Sequence, residues 1–252
     1  MRTAALIVLV AALAAPATAA ASAPPPIVRP ADEGELSTRQ LGAGLFAGNC
    51  ARCHGGRGDG LQGMGPPLRG VGALAADFYL RTGYMPLGDP HDQPVRSRVR
   101  FTERETRALV GYVDSLGGGP PVPEVDASAG DRAEGFEQFT EHCAGCHQAV
   151  AEGGVVTGAR VPPLDRATPV QIAQAVRIGP YVMPRFTERA ISDEELSSIV
   201  AYVQYAKDPD DVGGWGIGHL GPVPEGMVAW LLAAVVLVAL CVVIGKRLRS
   251  SS

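Results

Sequence analysis

Two five-residue stretches, Cys50-Ala51-Arg52-Cys53-His54 and Cys143-Ala144-Gly145-Cys146-His147, constrain this 252-residue chain more than anything else in it. C-x-x-C-H is the signal for covalent attachment of c-type haem. The two thiols form thioethers to the vinyl groups, and the adjacent His is held over the iron as proximal ligand. A thioredoxin-type redox pair and half of a zinc site share the C-x-x-C spacing. A redox pair does not require His after both motifs, and a zinc site usually needs four Cys/His ligands per metal. Two covalently bound haem c groups are therefore expected, on Cys50, Cys53 and His54 and on Cys143, Cys146 and His147.

The motifs belong to a longer repeat. Pro66-Pro67-Leu68 recurs as Pro162-Pro163-Leu164, Arg81-Thr82-Gly83 as Arg177-Ile178-Gly179, and Met85-Pro86 as Met183-Pro184. Phe101-Thr102-Glu103-Arg104 recurs as Phe186-Thr187-Glu188-Arg189. The order is kept, and the last spacing implies about a dozen extra residues between Met and Phe in the first copy. Two copies are a duplication and not a solenoid, which needs three or more units. Each copy reads as mostly helical. A short apolar helix precedes each C-x-x-C-H, carrying Leu41, Leu45 and Phe46 or Phe136 and Phe139. A longer helix closes each copy, opened by the capping-box pairs Thr102/Glu105 and Ser192/Glu195. Its buried stripe is Leu109, Val110, Tyr112 and Val113, or Ile199, Val200, Tyr202 and Val203. No stretch alternates convincingly with period two.

Met85 lies 31 residues after His54, and Met183 lies 36 after His147. Both precede Pro in Gly-containing loops, as a ligand crossing the distal haem face requires. A thioether there favours ferrous iron and raises the potential. Met64 and His91 are the rivals in the first copy, and neither has a counterpart in the second. His142 is read as a surface residue and His219 as an interfacial polar group. A metal-bound His usually donates its other ring N–H to a carbonyl. Pro66 is placed to serve His54, and Pro162 to serve His147.

Two apolar stretches set the location. Leu6 to Ala15, after Arg2 and before Pro16-Ala17-Thr18-Ala19, reads as a secretory signal or, if uncleaved, an N-terminal anchor. Met227 to Ile244 carries no charge over 18 residues, about 27 Å of helix. Lys246, Arg247 and Arg249 follow and place the C-terminus in the cytoplasm, with everything between the two stretches outside. The expected division is 1–22 signal or anchor, 37–118 first domain, 119–130 Gly/Pro linker, 131–211 second domain, 212–226 Gly-rich connector, 227–245 membrane helix and 246–252 tail. Four of five cysteines are used by the motifs, which leaves Cys241 in the membrane helix. Aromatic residues are only 6 %, and two porphyrins would supply the missing apolar core. No long Lys/Arg run suggests a nucleic-acid partner.

Each repeat resembles a class I cytochrome c domain in its helix, C-x-x-C-H, G-P-x-L, distal Met and closing helix. The whole chain resembles the dihaem cytochrome c subunit of the actinobacterial cytochrome bc complex (menaquinol–cytochrome c reductase). The most specific part of that likeness is Gly213-Gly214-Trp215-Gly216-Ile217-Gly218 with Gly221-Pro222-Val223-Pro224-Glu225-Gly226-Met227. The resemblance implies an all-α fold of two tandem cytochrome c domains and one C-terminal transmembrane helix. It also implies an electron-transfer subunit with no catalytic site of its own. Its expected partners are the Rieske iron–sulfur subunit, the cytochrome b subunit and a haem-copper oxidase as acceptor. The rivals are a tethered dihaem carrier for another reductase and a dihaem peroxidase or sulfur-compound dehydrogenase. Both Met85 and Met183 argue against the enzyme, which commonly needs an open distal position. Charge is asymmetric: Ser37 to Gly118 holds 10 basic and 7 acidic residues, Asp131 to Asp211 holds 7 and 13. Such asymmetry can orient two different partners, with the acidic second domain facing the oxidase and the first facing the Rieske protein.

Overall fold

The computed structural model describes residues 25–209 and 222–250. The leader at 1–22, the segment Gly213 to Gly218 and His219 lie outside the described residues. The first repeat consists of α1 (Thr38–Asn49), the short turn α2 (Ala51–His54), α3 (Gly72–Arg81) and α4 (Glu103–Ser115). The second consists of α5 (Arg132–His142), α6 (Ala144–His147), a hairpin of β1 (Gly154–Val156) and β2 (Ala159–Val161), α7 (Pro169–Ile178) and α8 (Asp193–Lys207).

Helix starts follow local chemistry. Ser37/Gln40, Thr102/Glu105 and Thr168/Gln171 form complete capping boxes, and Ser192/Glu195 forms the same reciprocal pair ahead of α8. These caps correct the repeat. Thr102 and Ser192 are equivalent helix caps, each preceded by a buried apolar residue, Phe101 or Ile191. Phe186-Thr187-Glu188-Arg189 therefore sits one turn too early to match Phe101-Thr102-Glu103-Arg104. From Met to cap there are 17 residues in the first copy and 9 in the second, so the extra length is 8 residues and not a dozen.

The hairpin corrects the all-α expectation. Val155 pairs with Arg160 across the two-residue turn Thr157-Gly158, where Gly158 takes φ +84°. Three residues per strand are too few for alternation to show in the sequence. The pattern is nonetheless there, since Ala159 and Val161 are buried while Arg160 is exposed. Phe136 also departs from expectation. It is 50 % exposed and touches only the edge of the core, its ring 5.3 Å from that of Tyr202.

In each domain the first and last helices cross at a glycine. A Cβ on Gly42 would overlap the Ala108 carbonyl and come 2.9 Å from Tyr112 Cβ. A Cβ on Gly135 would overlap the Ser198 carbonyl and come 2.9 Å from Tyr202 Cβ. The crossing lets Phe46 pack on Tyr112 and Phe139 on Tyr202, with ring centroids 5.0 and 5.4 Å apart. Beside it, Leu41, Leu45, Phe46, Leu109 and Val113 form one core, and Phe139, Ile172, Ile191, Leu196 and Val203 form the other.

The domains meet through equivalent helices, α3 and α7. Gln174, fully buried, donates from Nε2 to Asp77 Oδ2 at 2.9 Å, and Arg81 Nε holds Asp77 Oδ1 at 2.6 Å. Gln171 Nε2 donates to the Arg81 carbonyl at 3.3 Å.

An N-terminal strap closes the first domain. Arg29 Nε lies 2.5 Å from the buried Glu105 carboxylate. Burial opposes ionisation of Glu105, but Arg29 and Thr102 outweigh it and hold its pKa below the ordinary glutamate value. A carboxyl lowered on folding stabilises the fold above its unfolded pKa, about 4.3. That contribution disappears as pH falls through the folded value. Glu105→Gln is expected to cost about 2 kcal/mol at neutral pH and to flatten the acid limb of the stability profile. Circular dichroism melts taken from neutral pH downward would measure it; an acid limb identical to the parent would refute it.

Among the described residues the C-terminal unit contains the helix α9 (Pro222–Ser250), whose window Gly226–Arg249 is long and apolar enough to cross a membrane. It begins five residues before the apolar stretch, so the end of the expected connector is helical. Trp230, 78 % exposed, stands in its N-terminal part, as interfacial aromatics do.

Candidate functional site

Helical spacing explains why the motif works. Residues i, i+3 and i+4 share one face of a helix, so a C-x-x-C-H turn presents two thiols and an imidazole together. Both copies form that turn identically. The Cys50 N–H donates to the Phe46 carbonyl and the His54 N–H to the Cys50 carbonyl, at 2.8 and 2.9 Å. Cys143 to Phe139 and His147 to Cys143 repeat both distances. Burial, helped by the neighbouring Cys53, pushes the Cys50 thiol up to about 12, and burial beside Cys146 pushes Cys143 up to about 11. Thioredoxin-type cysteines shift the opposite way. Among the described residues no group of three His, Cys, Asp or Glu side chains is arranged to hold a metal ion, which gives the zinc reading no support.

The imidazoles differ. His54 Nδ1 is 2.8 Å from the Pro66 carbonyl oxygen. Gly65 allows this approach, because a Cβ there would lie 2.8 Å from the Cys53 carbonyl and 3.1 Å from His54 Nδ1. The second copy has Val161 in that place. His147 Nδ1 is buried without a hydrogen bond; burial lowers its pKa and the nearby Pro162 carbonyl only opposes the shift.

Both motifs open onto one cavity of about 550 Å³. Its wall includes Cys50, His54 and Met85 from the first domain and Cys143, Cys146, His147 and Met183 from the second. Cys53 is half-buried beside the wall and not part of it. Met64 is not on the wall, and His91 is exposed, its N–H bonded to Asp89. His142 is not the surface residue expected: it is half-buried, lines the cavity and packs on Phe186 with ring centroids 5.8 Å apart. The rest of the lining is largely apolar, and no Asp or Glu belongs to it. Paired thiols, an imidazole, a thioether, apolar walls and the guanidinium groups of Arg96 and Arg160 in the lining fit a porphyrin bearing propionates.

Two glycines shape both sites without belonging to either motif. Gly60 (φ +82°) and Gly153 (φ +70°) each receive the chain after the His, their N–H groups bonded to the His54 and His147 carbonyls at 2.8 and 3.0 Å. A Cβ at either would strike the Pro-Pro segment. They recur at the same spacing as the cysteines, as do Gly42 and Gly135, and that was the signal.

The cytochrome bc1 complex cytochrome c subunit of Corynebacterium diphtheriae is 37% identical over 238 residues, covering 87% of this chain and 85% of the relative. The chain belongs to the family of cytochrome bc1 complex cytochrome c subunits. The Mycobacterium leprae member of this family is 35% identical over 251 residues, covering 96% of this chain and 87% of its own. Within this chain, residues 40–117 match the family described as Cytochrome c, and residues 130–203 match Cytochrome C oxidase, cbb3-type, subunit III. Two cytochrome c domains imply haem c. The cbb3-type cytochrome c oxidase subunit CcoP of Azospirillum is 31% identical over 186 residues, 64% of this chain and 60% of its own. Reduced cytochrome c4 from Pseudomonas stutzeri is 20% identical and covers 66% of this chain and 97% of its own, with a TM-score of 0.25, too low to carry an argument.

Proposed function

We propose that the protein is a membrane-anchored dihaem cytochrome c that relays single electrons from the Rieske iron–sulfur protein of a quinol-oxidising bc complex toward a terminal oxidase. The observation that carries this reading is the single cavity lined by His54, Met85, His147 and Met183. When bound, haem c supplies one-electron Fe(III)/Fe(II) chemistry. Cys50, Cys53, Cys143 and Cys146 would anchor it, and His54, oriented by Pro66, and His147 would ligate its iron. Met85 and Met183, on the same wall, would supply thioether ligands, and the apolar lining would limit access of water. The domains stand outside the membrane, and Lys246, Arg247 and Arg249 hold the C-terminus in the cytoplasm.

Met85→Ala and Met183→Ala test the ligand set. Each is expected to remove about half of the ferric His–Met charge-transfer absorption and to lower one haem potential, read by potentiometric titration. An unchanged spectrum in both would refute the assignment. Solubilised protein should also carry two haems by the pyridine haemochrome assay and co-purify with quinol-oxidising and oxidase subunits.

The acidic second domain is the oxidase-facing one in this reading. Glu195 is a poor probe because its carboxylate caps α8, and Asp193 pairs with Arg177 at 2.6 Å. Glu194 is exposed and in neither contact. Glu194→Lys is expected to slow oxidase reduction several-fold at low salt, with the difference fading as salt screens it. Slowed reduction from the Rieske side instead would reverse the assignment.

A further inference from the structure

The segment between Met85 and Thr102 is the part of the first domain that the second copy lacks in length. It is partly exposed, yet it is tied to both domains. Ser97 donates from its hydroxyl to the Gly83 carbonyl and from its N–H to the Thr82 carbonyl, the latter at 3.3 Å, which pins the segment across the Met85 loop. Its neighbour Arg96 reaches the other domain. Arg96 Nη2 donates to the Arg166 carbonyl at 2.9 Å and to Gln171 Oε1 at 2.8 Å.

Those acceptors are neutral. Among the described residues no carboxylate forms an ion pair with Arg96. Its charge is felt locally: it opposes the upward push of burial on Tyr84, and it adds to burial in lowering Lys207. Arg96 also lines the shared cavity, whose only permanently charged side chains are Arg96 and Arg160. Arg160 is exposed on β2, whereas Arg96 is half-buried at the domain boundary. An uncompensated guanidinium facing a partly closed apolar cavity is costly unless an anion meets it. A planar guanidinium fork matches a carboxylate better than any other cationic side chain does.

We propose that Arg96 is a positioning residue with two duties: it ties the first domain to the second, and it holds a porphyrin propionate in the shared cavity so that its charge favours the reduced iron. The inference rests on the dihaem reading above. Reduction adds one electron and so removes one positive charge from the iron; a fixed cation nearby stabilises the product. Docking of the domains and redox potential thus depend on one side chain, in a segment that no repeat logic would single out.

Three variants of the full-length, haem-loaded protein separate the duties. Arg96→Gln removes the charge, Arg96→Lys keeps it without the fork, and Gln171→Ala leaves the charge but breaks the bonds of Gln171 to Arg96 and to the Arg81 carbonyl together with its half of the α7 capping box. Potentiometric titration followed by visible absorbance reads both haems. Arg96→Gln is expected to shift the reduction equilibrium of at least one haem about tenfold toward the oxidised form, about 59 mV for one electron. Arg96→Lys is expected to shift it several-fold less, and Gln171→Ala to leave it near the parent value. Parental potentials in Arg96→Gln would overturn the proposal, as would an equal drop in Gln171→Ala, since loosened docking would then be the cause. A parent protein with fewer than two haems would sink the dihaem reading itself, a distinct result.

Discussion

Changing Cys50 and Cys53 together to Ala should leave the full-length protein with one haem of two and unfold its first domain. The buried cluster of that domain has eight residues, against twelve in the second. Leu80, Leu109 and Val113 belong to this cluster and also line the cavity. A domain of this size is marginal on its own side chains. Losing one haem of two empties about half of the shared cavity of about 550 Å³, which costs on the order of 7 kcal/mol at about 24 cal/mol per Å³. That is comparable to the whole stability of a domain. Haem content and helical circular dichroism would measure the result. Cys143→Ala with Cys146→Ala should lose one haem too, with a smaller loss of helix signal, because seven buried residues of that core lie off the cavity wall against five in the first. Full helicity in the first variant would show that the porphyrin is not part of the core.

Gly135→Ala should be the most destabilising single methyl added to the second domain, by about 3 kcal/mol. The added Cβ meets the Ser198 carbonyl, which is helix backbone and cannot rotate away. To make room, α5 must separate from α8, pulling Phe139 from Tyr202 and shifting the Cys143 turn that α5 carries. Gly145→Ala is the control, since nothing lies within 4 Å of a Cβ there. Denaturant unfolding of the two variants side by side would decide it. Equal midpoints would mean that the crossing is looser than the structure shows.

The C-x-x-C-H turns and the helix caps were legible because their chemistry is local: a fixed spacing puts the reacting groups on one face, and a cap needs only four residues. The membrane helix was legible from length and charge, although Pro222 to Gly226 extend it with no apolar signal. The hairpin was hidden by its brevity, and the true register of α8 by a repeated tetrapeptide that invited alignment at the wrong place. Glycine crossings recur at readable spacing, yet their meaning depends on which carbonyl lies opposite. Arg96 was least legible of all, since its partners lie 70 and 75 residues away in another domain.

The contact of α3 with α7 has a consequence in terms of symmetry. Two separate copies of one domain, paired through the same helix, would be related by a two-fold axis and would present identical residues to it. An acid on one side would then be an acid on both. Joining the copies in one chain lifts that restriction, and the interface uses the freedom: Asp77 stands on one side and Gln174 on the other. The two halves can therefore mate in one orientation with unlike groups, as a heterodimer does, while remaining permanently equimolar.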